Sequence, residues 1–408
     1  MSLKISPNSL SSLMVTQQQV LESAPVRNSM HSSVSTMRSA IGSVSSRSWI
    51  IVGLITTFLC AAALIFKIIL ERKNKRLPKD RTEKSKETLS PKPKETSQVK
   101  PYIGSDPGQL IDNTSAFIQQ GYYETSTGQR FSLENGNALS ARSQYFEYSD
   151  VKPINSELHT SIRVINQDCL EAAEELAQKN LKVLLVNFAS PEYPGGGLEK
   201  IPGNQEEDLC YRSELLVFMK VQLDIVYNNL ENHDPEHKLL YPLYSRKDPN
   251  IAGAVFTPDV KVFRAGKAQS YAFLENPFNI GILSSAAPHD LKTFEANMAH
   301  NRIDSSSPEY IRQKEELLAK VLEKAEKAII TQLTVAHQHG YEAIVLGAFG
   351  CGAFKIPPEK MAGLYKKILS TLFKGVFKEV VFAILDDNYK GIHNLRGNFK
   401  PFKECFAQ

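Results

Sequence analysis

The chain has 408 residues, of which 42% are hydrophobic, and it carries a formal net charge of +4 at pH 7. This size allows one or two folded domains, and the hydrophobic fraction is ordinary for a globular protein. Residues 1–100 hold 16 Lys and Arg against 6 Asp and Glu, so residues 101–408 have a net charge of about −6 and direct nucleic-acid binding is not expected.

Residues 1–107 are predicted to form a tail, a membrane span and a linker. Residues 1–48 are rich in Ser and lack a sustained apolar period, which is typical of disorder. Residues 49–70 begin with eighteen uncharged residues, and about 20 apolar residues span the roughly 30 Å core of a bilayer. They predict a single transmembrane helix, with a buried core helix as the alternative. Residues 71–107 are rich in Lys, Glu and Pro, which predicts an extended basic linker.

Six basic residues follow the apolar segment, between Arg72 and Arg81. Because Lys and Arg are enriched on the cytoplasmic side of a span, the sequence predicts a single-pass membrane protein whose C-terminal domain faces the cytoplasm. A membrane is therefore an expected partner. The same arrangement would suit a bacterial protein delivered into a host membrane, with its domain in the host cytosol.

Beyond residue 107 the hydrophobic pattern predicts an α/β domain. Strand-like runs alternate with helical periodicity, which indicates a mixed or largely parallel sheet flanked by helices. An accessory N-terminal extension is expected at 108–160 and the main domain at 161–408. The predicted helices are Gln109–Gly121, Cys169–Gln178, Ser213–Leu230, Glu315–His339 and Pro358–Phe373, and the predicted strands are Ser161–Asn166, Lys182–Phe188, Lys261–Phe263, Asn279–Ser284, Glu342–Leu346 and Val380–Leu385.

The cysteines and histidines show no metal-binding pattern. No pair of cysteines has CxxC spacing, and the nine histidines form no cluster. Reduced thiols are expected, with neither a metal nor a cofactor. The cysteines are Cys60, Cys169, Cys210, Cys351 and Cys405.

Two glycine-rich loops follow predicted strands, at the sheet edge where α/β proteins bind ligands. The first contains Gly195–Gly197, and Gln205–Glu207 come after a further seven residues. Glycines tolerate positive φ and let the backbone approach a ligand closely. Two adjacent carboxyl groups cannot both ionise freely, so one of them is expected to keep its proton to a higher pH than usual.

The second loop, Gly347–Phe354, lies between a predicted strand and a predicted helix. Successive backbone N–H groups in such a loop can bind an anion, for example a pyrophosphate. Its spacing matches neither a P-loop nor the GxGxxG dinucleotide fingerprint, and a tight turn without a ligand is the alternative. No His–acid pair accompanies Cys351, which disfavours a role as nucleophile.

The stretch LLVNFASPEYPGGGLEKIPGNQEEDLCYRSE resembles the signature of poly(ADP-ribose) glycohydrolases of the bacterial, macrodomain-containing type. The resemblance covers roughly residues 108–405. It implies a macrodomain-like fold with a helical N-terminal extension, and hydrolysis of ribose–ribose bonds in poly(ADP-ribose). Shorter segments that also resemble this family are Pro258–Arg264, Ile282–His289, Val345–Phe354 and Val380–Asp387.

The resemblance implies roles for individual residues. Glu207 is similar to the general acid that protonates the leaving 2′ oxygen, and Glu206 to the carboxylate that orients the ribose. Asp168 is similar to the aspartate that macrodomains present to the adenine amine. The implied substrate-binding residues are Gly195, Gly196, Gly197, Gln205, Asn187, Asp168, Gly350, Cys351, Gly352, Ala353 and Phe354.

Several of these residues have structural alternatives. Asp168 could cap the helix that starts at Cys169, and Asn187 could satisfy the backbone of a loop. Phe382 and Phe354 could stack on a ring of the substrate or belong to the core. Two segments depart from the family's pattern, namely residues 355–358 (KIPP) and residues 198–204 (LEKIPGN). The choice between polymer and mono-ADP-ribose as the preferred substrate therefore stays open.

The leading hypothesis is a membrane-anchored poly(ADP-ribose) glycohydrolase that acts on the polymer or on ADP-ribosylated protein and releases ADP-ribose. The alternatives on the same fold are a macrodomain that binds ADP-ribose without cutting it, a mono-ADP-ribosyl hydrolase and a phosphatase. A membrane scaffold is a further alternative. The sequence leaves the oligomeric state open.

Overall fold

Helices and strands alternate along the folded part of the chain, which confirms the α/β character predicted from the sequence. The computed structural model describes residues 99–154, 156–198, 204–228, 240, 252–386 and 396–407. The helices in these residues are α1 (Pro107–Gln120), α2 (Gly136–Arg142), α3 (Cys169–Gln178), α4 (Gln205–Arg212), α5 (Leu215–Asn228), α6 (Asp290–His300), α7 (Pro308–Gln338), α8 (Pro358–Thr371) and α9 (Phe399–Phe406). The strands are β1 (Tyr122–Glu124), β2 (Arg130–Ser132), β3 (Gln144–Phe146), β4 (Ser161–Ile165), β5 (Val183–Phe188), β6 (Ala254–Arg264), β7 (Phe273–Ser285), β8 (Ala343–Leu346) and β9 (Glu379–Ala383).

A seven-stranded mixed sheet runs through the described residues in the order β3-β6-β7-β5-β8-β9-β4. Strands β7, β5, β8, β9 and β4 are parallel to one another, whereas β6 is antiparallel to both β7 and β3. Strands β1 and β2 form a separate antiparallel hairpin. The carboxyl ends of the five parallel strands therefore meet at one edge of the sheet, where ligands bind in such folds.

The central strand β5 is covered on both faces. Leu184 and Val186 pack with α7 and α8, while Val183 and Leu185 pack on the opposite face with α3, α4 and α5. Successive side chains of a strand point to opposite faces. A strand buried on both sides therefore needs an unbroken apolar run, which is why this segment could be predicted from sequence.

Helix boundaries follow local signals, some of which the sequence analysis missed. Helix α7 begins at Pro308, seven residues before its predicted start, and Oγ of Ser307 accepts a hydrogen bond from the N–H of Tyr310. Ser followed by Pro is a helix-start signal. The predicted stop is confirmed, because Gly340 has a φ of +68° just after the helix. Helix α4 was not predicted at all.

The predicted accessory extension packs on the antiparallel side of the sheet. Phe117 and Ile118 of α1 and Tyr123 of β1 form a small core with Phe263 of β6. Strand β3 also lies within the predicted extension, yet it pairs with β6 and forms one edge of the main sheet. The boundary between 108–160 and 161–408 stays a prediction.

The fold-class prediction is wrong in one respect. It placed a single transmembrane helix before the α/β domain, but no helix in the described ranges is both long and apolar enough to cross a membrane. We therefore correct the fold class to the α/β domain without that helix, and we withdraw the single-pass membrane location that followed from it. The segments predicted as tail, membrane span and most of the linker, residues 1–98, lie outside the described residues.

Arg264, at the end of β6, is the largest fully buried side chain in the described residues and joins the extension to the sheet. Its guanidinium lies 4.0 Å from the centre of the Phe273 ring. Burial lowers the pKa of Arg264 to about 10, so the group stays cationic at neutral pH. Its hydrogen-bond acceptors are Oγ1 of Thr114 (3.0 Å), Oδ1 of Asn113 (2.6 Å) and the carbonyl oxygens of Tyr102 (3.0 Å) and Tyr271 (2.9 Å).

We expect Arg264→Met to lower the free energy of unfolding by about 3 kcal/mol, because it leaves several buried acceptors without a donor. Chemical denaturation of the purified chain measures this. The matched control is Arg130→Met, since the guanidinium of Arg130 also donates to a side-chain oxygen and also lies over an aromatic ring, but its partners are Glu124 and Tyr122 and its side chain is 59% exposed. The control is expected to leave stability nearly unchanged. Equal effects of the two substitutions would contradict the role given to Arg264.

Candidate active site

The side chain of Gln205 ties the start of α4 to the carboxyl end of β5. Its Oε1 accepts a hydrogen bond from the N–H of Phe188 at 2.7 Å, and its Nε2 donates to the carbonyl oxygen of Val186 at 3.1 Å. Gln205 thus determines where α4 begins relative to the sheet edge. Its amide is occupied by protein backbone, so direct binding of substrate by Gln205 stays a prediction.

The carboxyl group of Glu206 is held against the end of β5. Its side chain is buried, and the residue as a whole is only 2% exposed. Oε1 accepts from Nδ2 of Asn187 at 3.2 Å, and Oε2 accepts from the N–H of Ser190 at 2.9 Å. Nδ2 of Asn187 also donates to Oγ of Ser284 on the neighbouring strand β7, at 3.0 Å. Asn187 therefore links two strands to the carboxylate.

Glu207 is bound on one side only. Its Oε1 accepts from the N–H of Gly197 at 2.7 Å and from Nδ2 of Asn204 at 3.4 Å. Its Oε2 is buried and has no hydrogen-bond partner among the described residues, and the same holds for Oδ1 of Asn187. A buried polar atom without a partner is costly, so two such atoms beside one loop indicate a site for a polar ligand.

The glycines of the first loop are required by the two glutamates. Gly195 and Gly196 have φ values of +78° and +62°, which side-chain-bearing residues rarely adopt. A Cβ atom at Gly196 would lie 2.6 Å from Oε1 of Glu207 and 3.0 Å from Oε2 of Glu206. Both carboxyl groups therefore converge on a position that only glycine can occupy.

The second glycine loop, Gly347–Phe354, extends from β8 across the end of β5 to β7. The ring of Phe349 lies 5.7 Å from that of Phe188, and a Cβ atom at Gly350 would lie 2.8 Å from the side chain of Ala287. Towards the tip and end of the loop, several N–H groups donate no hydrogen bond to a described residue. They include those of Gly350, Gly352, Ala353 and Phe354. Unpaired amides in one turn can form the anion nest that the sequence predicted.

Cys351 belongs to this loop and is fully buried. Burial raises the pKa of its thiol well above the ordinary value, so it is poorly suited to act as a nucleophile. The four cysteines in the described residues form no disulfide. No group of three or more His, Cys, Asp or Glu side chains in this part of the chain is arranged to hold a metal ion.

Comparison with known proteins identifies the domain. Residues 112–265 match the family model described as the catalytic domain of microbial-type PARG, poly(ADP-ribose) glycohydrolase, and this range includes the first glycine loop and both glutamates. We therefore assign this part of the chain to the microbial-type PARG catalytic domain. A search of curated proteins found no match.

Solved PARG structures share the fold. The enzyme from Thermomonospora curvata is 23% identical, with a TM-score of 0.56 over 74% of this chain and 99% of that one. A second structure of that protein, bound to the inhibitor ADP-HPD, is 22% identical with a TM-score of 0.54 over the same shares of the two chains. At this level of identity the likeness shows the fold alone.

Asp168 caps helix α3, as the structural alternative predicted. Its Oδ1 accepts from the N–H groups of Leu170 and Glu171 and from Nη1 of Arg212 at 2.8 Å. Arg212 also binds Oδ2 of Asp208 at 2.7 Å. Burial alone would lower the pKa of Arg212, but the two aspartates outweigh burial and raise it. A contact between Asp168 and adenine stays a prediction.

The two candidate stacking residues lie in different surroundings. Phe382 is fully buried between Tyr365, Phe402 and Phe406, which confirms that it belongs to the core. Phe354, at the end of the second loop, is half-buried. Helix α4 and Arg212 are the parts of this site that the sequence analysis missed. Three acidic residues in the first turn and an arginine in the last turn, favourable for the helix dipole, could have revealed α4.

Replacement of Gly196 by alanine is expected to reduce turnover by the PARG domain at least about 100-fold, because the new methyl group displaces both carboxyl groups. The matched control is Gly128→Ala. Gly128 has a similar φ of +84° but no atom within 4 Å of its Cβ position. That control is expected to cost about 1 kcal/mol of stability and to leave turnover intact. Steady-state kinetics and thermal melting of both variants distinguish strain from displacement.

Asn187→Asp is expected to lower the free energy of unfolding by about 3 kcal/mol at neutral pH, because it sets a second carboxylate against Glu206 without a donor. Like charge and burial raise the pKa of the introduced carboxyl group in the folded state above its unfolded value. The protonated form is therefore favoured on folding, and the stability deficit should shrink as the pH falls and grow as it rises. Denaturation at pH 4 and pH 7 measures the difference, and a pH-independent deficit would contradict this explanation.

Proposed function

We propose that this chain hydrolyses the ribose–ribose O-glycosidic bonds of poly(ADP-ribose) and releases ADP-ribose, with Glu207 as the general acid. The observation that carries this proposal is the asymmetric binding of Glu207. Its Oε1 is fixed by the N–H of Gly197, whereas its Oε2 is buried and has no partner among the described residues. A carboxyl group held in this way has one oxygen free to give a proton to a substrate atom.

Binding of the ADP-ribose unit would use both loops. The unpaired N–H groups at the tip of the second loop are suited to a pyrophosphate, because backbone amides stabilise negative charge without a counter-ion. Glu206 and Oδ1 of Asn187 can accept hydrogen bonds from ribose hydroxyls. Asp168 would take the adenine amine at the β4 side of the sheet, as in the family that the chain resembles.

The reaction follows from this arrangement. Glu207 protonates the leaving 2′ oxygen as the bond from that oxygen to the anomeric carbon breaks, and positive charge develops on the ribose. The nearby pyrophosphate favours this charge. Water then attacks the anomeric carbon and returns a proton to the carboxylate of Glu207, which restores the acid.

A domain that binds ADP-ribose without cutting it would have no need for a second carboxyl group beside Glu206. The two adjacent glutamates converge on Gly196 at the cost of two left-handed glycines. This supports catalysis over binding alone. The preference between polymer and mono-ADP-ribosylated protein is decided by offering both substrates in parallel.

Glu207→Gln is expected to reduce the release of ADP-ribose from the polymer by a factor of about 10² to 10⁴, because the amide cannot act as an acid. Affinity for ADP-ribose, measured by calorimetry, should stay within a few-fold of that of the unmodified chain.

The matched control is Asp208→Asn, which removes the next carboxylate of the same helix. Asp208 faces Arg212 and Tyr271 instead of the glycine loop. This variant should lose stability and keep most of its turnover. If Glu207→Gln retained full activity, or if both substitutions abolished it alike, Glu207 would not be the acid.

A further inference from the structure

A group of basic and aromatic side chains lies beside the second glycine loop and has no part in the proposed reaction. Nζ of Lys292 lies 5.8 Å from the centre of the Phe354 ring, and the ring of His289 lies 6.0 Å from it. His289 directly precedes helix α6, and Lys292 belongs to its first turn. We call His289, Lys292 and the nearby Phe354 ring the α6 cluster.

The α6 cluster lies on the side of the site away from the proposed adenine end. It follows β7, which neighbours β5 on one side, whereas β8, β9 and β4 lie on the other side. Asp168 comes just after β4, which is the outermost strand on that other side. If ADP-ribose lies along this edge with its adenine towards β4, its cleaved ribose lies towards β7. The rest of the polymer must then leave across the α6 cluster.

The surroundings of the α6 cluster are positively charged. Lys314 and Lys355 share the carboxylate of Glu295, at 2.7 and 2.6 Å. Lys324 is paired with Asp290 at 2.8 Å. Lys292 is exposed and has no salt bridge within the described residues. These four lysines are accompanied by two carboxylates, those of Glu295 and Asp290. A net positive charge therefore remains, and Lys292 contributes to it.

His289 has an unused hydrogen-bonding atom. Its Nδ1 is buried and has no partner in the described part of the chain. A histidine nitrogen donates or accepts according to the tautomer and protonation of the ring, so it can serve a phosphate oxygen. Lysine ammonium groups bind phosphate as point charges. The two residues thus offer a hydrogen-bonding nitrogen and a mobile charge near Phe354.

We propose that His289 and Lys292 bind the diphosphate of the ADP-ribose unit that follows the scissile bond. The inference rests on the proposed function, because it requires the polymer to pass this side of the site. Each polymer unit carries two phosphate charges, and a free ADP-ribose molecule has no following unit. The subsite therefore favours the polymer over substrates that end at the cleaved ribose, and it acts on polymer binding without touching the reacting atoms.

The test is Lys292→Glu in the full chain, with KM and kcat for poly(ADP-ribose), the Kd of the polymer, and the Kd of free ADP-ribose. Loss of a charged phosphate contact should raise the polymer KM and Kd about tenfold, while kcat and the ADP-ribose Kd stay unchanged. The ratio between the variant and the unmodified chain should shrink as salt is added, because the contact is exposed. His289→Ala should also raise the KM and Kd for the polymer, but its effect should depend less on salt than that of Lys292→Glu.

The matched control is Lys374→Glu, the same charge reversal at an exposed lysine. Lys374 precedes β9 and so lies at the amino ends of the parallel strands, away from the site. This control should leave all four constants unchanged. An unchanged polymer Kd in Lys292→Glu, or an equal loss of affinity for free ADP-ribose, overturns the subsite. If the unmodified chain releases no ADP-ribose from the polymer, the proposed function fails, and the comparison of the two Kd values still decides the subsite.

Discussion

The convergence of two buried carboxyl groups on the backbone of Gly196 is the constraint on which the site depends. Glu206 and Glu207 are adjacent on α4, so their side chains leave the helix in different directions. They can approach the same point only if the opposite wall has no side chain, and a Cβ atom at Gly196 would collide with both. The glycine at this position in the first loop is therefore required by the two carboxyl groups themselves, whether or not a ligand is bound. The N–H of Gly197 in the same loop fixes Oε1 of Glu207, whereas Oε2 has no partner among the described residues.

The position of α4 is determined at both of its ends. At its start, Gln205 binds the backbone of β5 through both of its polar atoms. At its other end, Arg212 binds Asp168 and Asp208, and the carbonyl oxygen of Tyr211 accepts from Thr114 of the extension. Thr114 in turn is held by the buried Arg264. The extension thus contributes to the candidate site through the far end of α4, although none of its residues was predicted to touch substrate.

Much of the fold could be predicted because its signals are local. The apolar run of β5, the periodicity of α7 and the stop at Gly340 each depend on burial or backbone sterics within one segment. Helix α4 was missed because its eight residues form a motif dominated by charge, and its apolar face becomes visible only against α1 and α5. The transmembrane helix was predicted from hydropathy alone and is not part of the described fold. Asp168 shows a further limit, because the same pattern fits a helix cap and a ligand contact, and the cap is what its hydrogen bonds reveal.

The sequence by itself determined the class of the domain, its two glycine loops and the pair of glutamates, since these depend on residue types and spacings along the chain. Only the tertiary structure decided what each loop glycine and polar atom faces. Gly196 and Glu207 are eleven positions apart, and Asn187 and Ser284 are separated by 97. Their contacts arise from strand order and helix placement, which bring distant segments to one edge of a sheet. Which oxygen of a carboxyl group finds a donor, and which does not, is a property of that assembled edge.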